Sequence, residues 1–187
     1  ISTVNGLHST GLYSSIMCRG QEVVVVSNAV RDYVRTHYPF VKDRHLHVIH
    51  RGIDSQQFPR GFQPMDEWKS QFFQQFPQAA NRPLLTLAGR LTRLKGHIDF
   101  VRLLAALRDH GMTVHGLIVG DVDRRRTGYA NELKTMVTHL QLQDRVTFTG
   151  HRTDLRDIYA VSSAVFSLSS KPEAFCLTVA ESLSIGT

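Results

Sequence analysis

Cysteine is scarce. The 187 residues hold two, Cys18 and Cys176, too few and too far apart for a disulfide framework, so a reduced, cytoplasmic setting is the simpler expectation. Long apolar runs are missing as well, and no stretch approaches the roughly 20 residues that span a bilayer. Internal repeats and low-complexity tracts are absent. Like-charge blocks are short, the nearest being Arg124-Arg125-Arg126, expected in a solvated loop. Acid is in deficit, with 16 Asp and Glu against 22 Lys and Arg, a formal net charge of +6. That balance favours anionic partners: nucleotide-sugar phosphates, an anionic membrane surface or nucleic acid. Nucleic acid fits least, because the basic residues are spread and the aromatics mostly fall on core-like positions.

A hydrophobic share of 42% with 20% charged residues is enough to bury a core in one domain of ordinary size, or in parts of two. Val23–Val26 reads as a buried parallel strand. Ser27 or Asn28 then caps a helix over 29–37 that Pro39 ends. His45–Ile49 is a further expected strand. Asp66–Phe76 reads as a helix whose aromatics (Trp68, Phe72, Phe73, Phe76) suit packing. From Pro83 onward strand and helix patterns alternate. Leu84–Ala88, Val114–Val119, Val146–Thr149 and Ala164–Leu168 read as strands. Helical spacing covers Ile98–Ala105 and Tyr129–Leu140, and Asp154 is placed to cap a helix over Leu155–Val161. Such alternation predicts an α/β fold with a parallel sheet covered on both faces.

Two stretches carry chemistry. After the 84–88 strand comes Gly89-Arg90-Leu91-Thr92-Arg93-Leu94-Lys95-Gly96-His97. A glycine turns the backbone at the carboxyl end of a strand, where open α/β sheets bind ligands, and Arg90 and Lys95 offer a fork and a point charge to one anion. The last nineteen residues form the second stretch. A polar turn with Pro172 leaves the 164–168 strand, and helical spacing begins at Leu177. Backbone N–H groups at such a helix start face anions. Glu173 and Glu181 bracket the turn, eight residues apart.

The Glu173-x7-Glu181 pair in a strand–loop–helix setting, joined to the Gly89-Arg90…Lys95-Gly96 element, resembles retaining glycosyltransferases of the GT-B fold, family 4 (group 1). Val48-Ile-His-Arg-Gly52-Ile-Asp54 through Phe58, Gly120-Asp121 and Phe148-Thr-Gly150 follow in the same order. The resemblance implies a Rossmann-like, doubly wound parallel sheet, truncated here. Residues 1–57 would be the end of an acceptor-side half with its linker, and 58–187 most of a donor-binding half. The chain starts inside a strand pattern and stops at Gly186-Thr187, so it is expected to be a fragment, inactive alone.

The resemblance also implies roles. Gly89, Arg90, Lys95 and the Phe175-Cys176-Leu177-Thr178 turn would hold the donor diphosphate, Glu181 the ribose, and His151 and Arg152 the base. Glu173 would be the catalytic residue at the sugar. The partners implied are a nucleotide-sugar donor and a glycan or lipid-linked acceptor of lipopolysaccharide type, with peripheral contact to the inner membrane surface and no nucleic acid. No cofactor and no metal are expected, since basic groups and helix amides neutralise the leaving diphosphate. His45 and His47 share a strand face, but no Cys or carboxylate cluster is evident beside them. Cys176 stands where the family usually has glycine, and Asn5-Gly6 where it commonly has His-Gly. An epimerase of the same fold and a non-catalytic nucleotide-sugar binding module are the alternatives. A phosphorylase would need a pyridoxal-phosphate lysine, which no segment suggests.

Overall fold

The structure, a computed structural model, describes residues 1–122 and 128–187. The expectation for Arg124–Arg126 lies outside the described residues. The chain divides into two compact units, Ile1–Gly52 with Lys171–Cys176 and Ile53–Ser170 with Leu177–Thr187. The boundary read from sequence, between 57 and 58, falls later than this division.

The first unit has a three-stranded parallel sheet in the order β1-β2-β3, formed by β1 (Ser2–Val4), β2 (Val23–Val25) and β3 (Leu46–Val48). A short helix, α1 (Leu12–Ile16), precedes β2, and α2 (Asn28–His37) follows it. Ser27 caps α2 by accepting a hydrogen bond from the Val30 amide at 3.3 Å, one of the amides that a helix start leaves unpaired. Val30 and Val34 on one face of α2 pack on Val4, Val23 and Val25. His45 lies in a 3-10 turn ahead of β3, not in the strand. It still meets the same partner as His47: Glu22 takes His45 Nδ1 at 3.0 Å and His47 Nε2 at 2.6 Å. The sequence showed no carboxylate near this pair, because Glu22 arrives from the start of the neighbouring strand.

The second unit is built on a four-stranded parallel sheet in the order β6-β5-β4-β7. Its strands are β4 (Leu84–Ala88), β5 (His115–Val119), β6 (Val146–Gly150) and β7 (Ala164–Phe166). The helices are α3 (Asp66–Gln75), α4 (His97–Asp109), α5 (Gly128–His139), α6 (Leu155–Val161) and α7 (Leu177–Ile185). Strand alternation divides the core. Leu85, Leu87 and Ile118 face Phe100, Leu104 and Leu133 of α4 and α5. Leu84, Ala88, Leu117 and Val119 face Phe72, Ile158 and Ile185 of α3, α6 and α7. Each such Leu, Ile, Val or Phe side chain, fully buried, contributes about 1.5–3 kcal/mol. Both faces of the sheet are therefore covered, as the near-continuous apolar strands predict. Among the described residues no helix is long and apolar enough to cross a membrane.

Candidate functional site

All four strands of the second unit run the same way, so their exit loops gather at one edge. Hydrogen bonds between main chains lace three of those loops together. Gly89 donates to the Val119 carbonyl at 2.8 Å, Leu91 to that of Asp121 at 3.1 Å, and Gly120 to that of Gly150 at 2.9 Å. Gly120 has φ 147, and a Cβ there would overlap the Gly89 carbonyl. No other residue fits this approach without moving the backbone. The exit of β7 is fixed to the same place: the Ser170 amide donates to the Leu94 carbonyl at 2.9 Å, and the Leu168 carbonyl packs against Gly96.

The loop between β4 and α4 carries three cations, and they differ. Arg90 is exposed and makes no ion pair among the described residues. Arg93 is committed, reaching Glu132 with both terminal nitrogens at 3.0 and 2.5 Å and stacking 5.4 Å from the Tyr129 ring centroid. Lys95 is half-buried, and its aliphatic stem runs over Gly89, 3.6 Å from where a Cβ would be. Sequence reasoning named Arg90 and Lys95 but missed that Arg93 ties the loop to α5; an Arg–Glu pairing across 39 residues leaves no local trace.

Beneath the loop lies His97, the first residue of α4, with 0% exposure. Burial pushes its pKa down and Lys95 adds to this, against the Thr92 and Gly89 carbonyls, which favour the charged form. The outcome is a neutral imidazole under the loop. Sequence reading placed His97 in the motif and gave it no role.

The Glu181 carboxyl sits on α7, where burial raises its pKa and the Tyr159 hydroxyl opposes the shift. Leu177 and Thr178 open that helix, and Thr178 has a polar partner. Glu173, Phe175 and Cys176 belong to the first unit and are half-buried there. Glu173 and Cys176 each have an interaction partner, and Ala174 packs on the Val4–Val25 core.

In the loop after β6 the Arg152 side chain is engaged by its neighbours. Arg152 binds Asp154 through two nitrogens at 2.9 and 2.5 Å and reaches Gln75 at 3.1 Å. Its guanidinium lies over the Phe72 and Phe76 rings at 5.7 and 6.0 Å. Trp68 Nε1 donates to Asp154 Oδ2 at 2.8 Å, the oxygen that one Arg152 nitrogen also reaches. Burial pushes the Asp154 carboxyl up, but its bonds to Arg152 and Trp68 prevail and hold it below the usual carboxylate range. Asp154 therefore makes no side-chain cap on α6, and the Arg152 fork is committed to joining α3 to the β6 loop. His151 is exposed. Among the described residues no three His, Cys, Asp or Glu side chains converge as a metal site would require.

The parallel α/β fold that carries this edge is shared with solved structures. The chain aligns over 98% of its length with a glycosyltransferase from Rickettsia africae ESF-5 (TM-score 0.84, 28% identity, 48% of that chain). It aligns over 99% with Anabaena Alr3699/HepE in complex with UDP and glucose (TM-score 0.84, 22% identity, 50% of that chain). The fold is the α/β GT-B type, with parallel sheets. The family model of glycosyl transferases group 1 matches residues 69–187, and the chain belongs to that family. Mannosylfructose-phosphate synthase of Agrobacterium fabrum (strain C58 / ATCC 33970) is 32% identical over 178 residues, 92% of this chain. The chain spans 38% of that relative's length, and 45% of alpha-maltose-1-phosphate synthase of Mycobacterium tuberculosis, which is 26% identical.

Proposed function

We propose that the chain is the donor-handling part of a retaining glycosyltransferase that moves a hexosyl group from a nucleoside-diphosphate sugar to a hydroxyl. One observation carries this reading. An exposed Arg90, with no ion pair among the described residues, stands in the same loop as Lys95 and Gly89, held by the β5 exit, the β7 exit and α5. Such a fork on a rigid support suits a diphosphate, whose charge grows as the sugar departs. Relatives of the same fold with UDP bound support the donor class.

In this scheme Arg90 and Lys95 stabilise the leaving diphosphate, with the amides of the 175–178 turn. Glu181 accepts from the ribose hydroxyls. Glu173, four residues ahead of α7 along the chain, serves the sugar end. Because the Arg152 fork is occupied, we assign the base contact to the His151–Arg152 main chain and the His151 ring. We place the first unit on the acceptor side, with a glycan or lipid-linked acceptor of lipopolysaccharide type, and the whole protein in the cytoplasm at the inner membrane surface. The reaction as proposed uses no metal or cofactor, so EDTA is expected to leave nucleotide binding unchanged.

Calorimetric titration with UDP and GDP tests the reading. Arg90→Ala and Lys95→Ala are each expected to lose about 1.5–3 kcal/mol, the worth of a charge-assisted hydrogen bond. Wild-type affinity in both variants, with circular dichroism unchanged, would remove the assignment. In the full-length enzyme, the anomeric configuration of the product by NMR tests retention. Epimerisation of the nucleotide sugar without an acceptor would replace the transferase reading.

A further inference from the structure

The first unit has its own cavity, of about 480 Å³, with Arg19, Lys42, Arg44, His45, Gly20 and Phe40 among its lining residues. The segments that line it lead into β2 and β3. It therefore lies at the amino edge of the sheet, opposite the edge from which α2 leaves and at which open α/β sheets bind their usual ligands.

Its charge is uncompensated. The first unit contains four carboxylates, Glu22, Asp32, Asp43 and Glu173, and Glu173 is not among the residues lining the cavity. Asp43 is bound by Arg35 at 2.8 Å, Asp32 by Arg31 at 3.1 Å, and Glu22 by His45 and His47. Among the described residues no carboxylate forms an ion pair with Arg19, Lys42 or Arg44, and all three open on the cavity, whose lining includes no acidic residue among them. One of them is preset. Arg44 donates through Nε to His45 Nε2 at 2.9 Å, and His45 is held in turn through Nδ1 by Glu22 at 3.0 Å. That chain fixes the guanidinium while its two terminal nitrogens remain available as a fork. Phe40 is 53% exposed on the rim, its ring set edge-on to Tyr38 with centroids 6.0 Å apart.

We propose that this cavity is a phosphomonoester-binding site for a small sugar phosphate. Arg44 and Arg19 take the phosphate oxygens, Lys42 balances the second charge, and the Phe40 ring covers the apolar face of the attached sugar. Three cations suit a dianion better than the single charge of a phosphodiester. The volume is in the range of small-molecule sites, and the binding falls with added salt because the site is open. It is independent of the diphosphate grip around Arg90.

The test is a ¹H–¹⁵N NMR titration of the 187-residue chain carrying Arg90→Ala and Lys95→Ala, which silences the other anion site. Glucose 6-phosphate is expected to shift the Gly20, Gln21 and Arg44 amides saturably, inorganic phosphate more weakly, and glucose not at all. Adding Arg19→Ala and Arg44→Ala is expected to weaken the binding at least tenfold with the thermal midpoint unchanged, since both side chains are exposed. Absence of shifts at these amides, or equal affinity in the doubly substituted chain, would overturn the proposal. So would binding of inorganic phosphate with glucose 6-phosphate excluded, or shifts seen only with phosphatidylglycerol vesicles, which would make the partner a lipid surface.

Discussion

Glu173 and Glu181 are eight residues apart in sequence and live in different surroundings. Glu181 is desolvated on α7 near Tyr159, while Glu173 lies in the segment that packs with the first unit. In the full-length enzyme, Glu181→Gln is expected to act chiefly on donor KM, because ribose contacts are alike in the ground and transition states. Glu173→Gln is expected to act chiefly on kcat, because charge at the anomeric carbon develops only as the bond breaks. Steady-state kinetics on the two variants decide it, and a reversed pattern would turn the donor end for end. A second residue-scale outcome concerns Asp154. Trp68→Phe removes one of its donors from a part-buried carboxylate, and is expected to cost about 1–3 kcal/mol in urea unfolding. Residue roles were the least legible part of the sequence. Asp154 reads locally as a helix cap and Arg152 as a ligand group, yet each takes the other, with Trp68 reaching Asp154 across 86 residues. Local spacing has no term for a partner so distant.

Elements were far more legible. The strand read at Leu84–Ala88 is the strand observed, because a short β-branched and leucine run bounded by Pro83 and Gly89 has few other uses. The capped start and proline-ended finish of α2 were equally local signals. At the level of elements, the loop from Gly89 to Gly96 is one rigid piece. Its far end depends on Gly96, at φ 73 and against the Leu168 carbonyl. Gly96→Ala combines left-handed strain, about 1–3 kcal/mol, with a backbone overlap. It is expected to lower the unfolding midpoint and also to weaken UDP binding, whereas Gly111→Ala, left-handed but with open space around it, should lower stability alone. Equal nucleotide affinity in both variants would separate the loop from the proposed site.

For the molecule as a whole, two buried histidines contribute to the response to acid between pH 7 and 4. Burial lowers the pKa of His115 to about 4, and that of His97 below its ordinary value. In the unfolded chain each takes a proton near its ordinary value of about 6.5, so between that pH and about 4 the unfolded state binds more protons. Stability therefore falls as pH drops through this window. For His115 alone the loss is about 3 kcal/mol. Urea melts from pH 7 to 4 should show it, and His115→Gln should flatten the curve if the imidazole is its source.

The strand order β6-β5-β4-β7 has a consequence for how the protein is made. Among the described strands of its sheet β4 is the first to be synthesised and lies in the middle, but one of its two neighbours is the last of them, with Leu85 paired to Ala164. Nearly 80 residues separate the two, several seconds of translation at about 5–20 residues per second. Throughout that interval the flank of β4 offers unmatched amides and carbonyls to any passing chain. A ribosome stalled near residue 150 should thus hold a nascent chain that captures a chaperone, and release it once residue 166 has emerged.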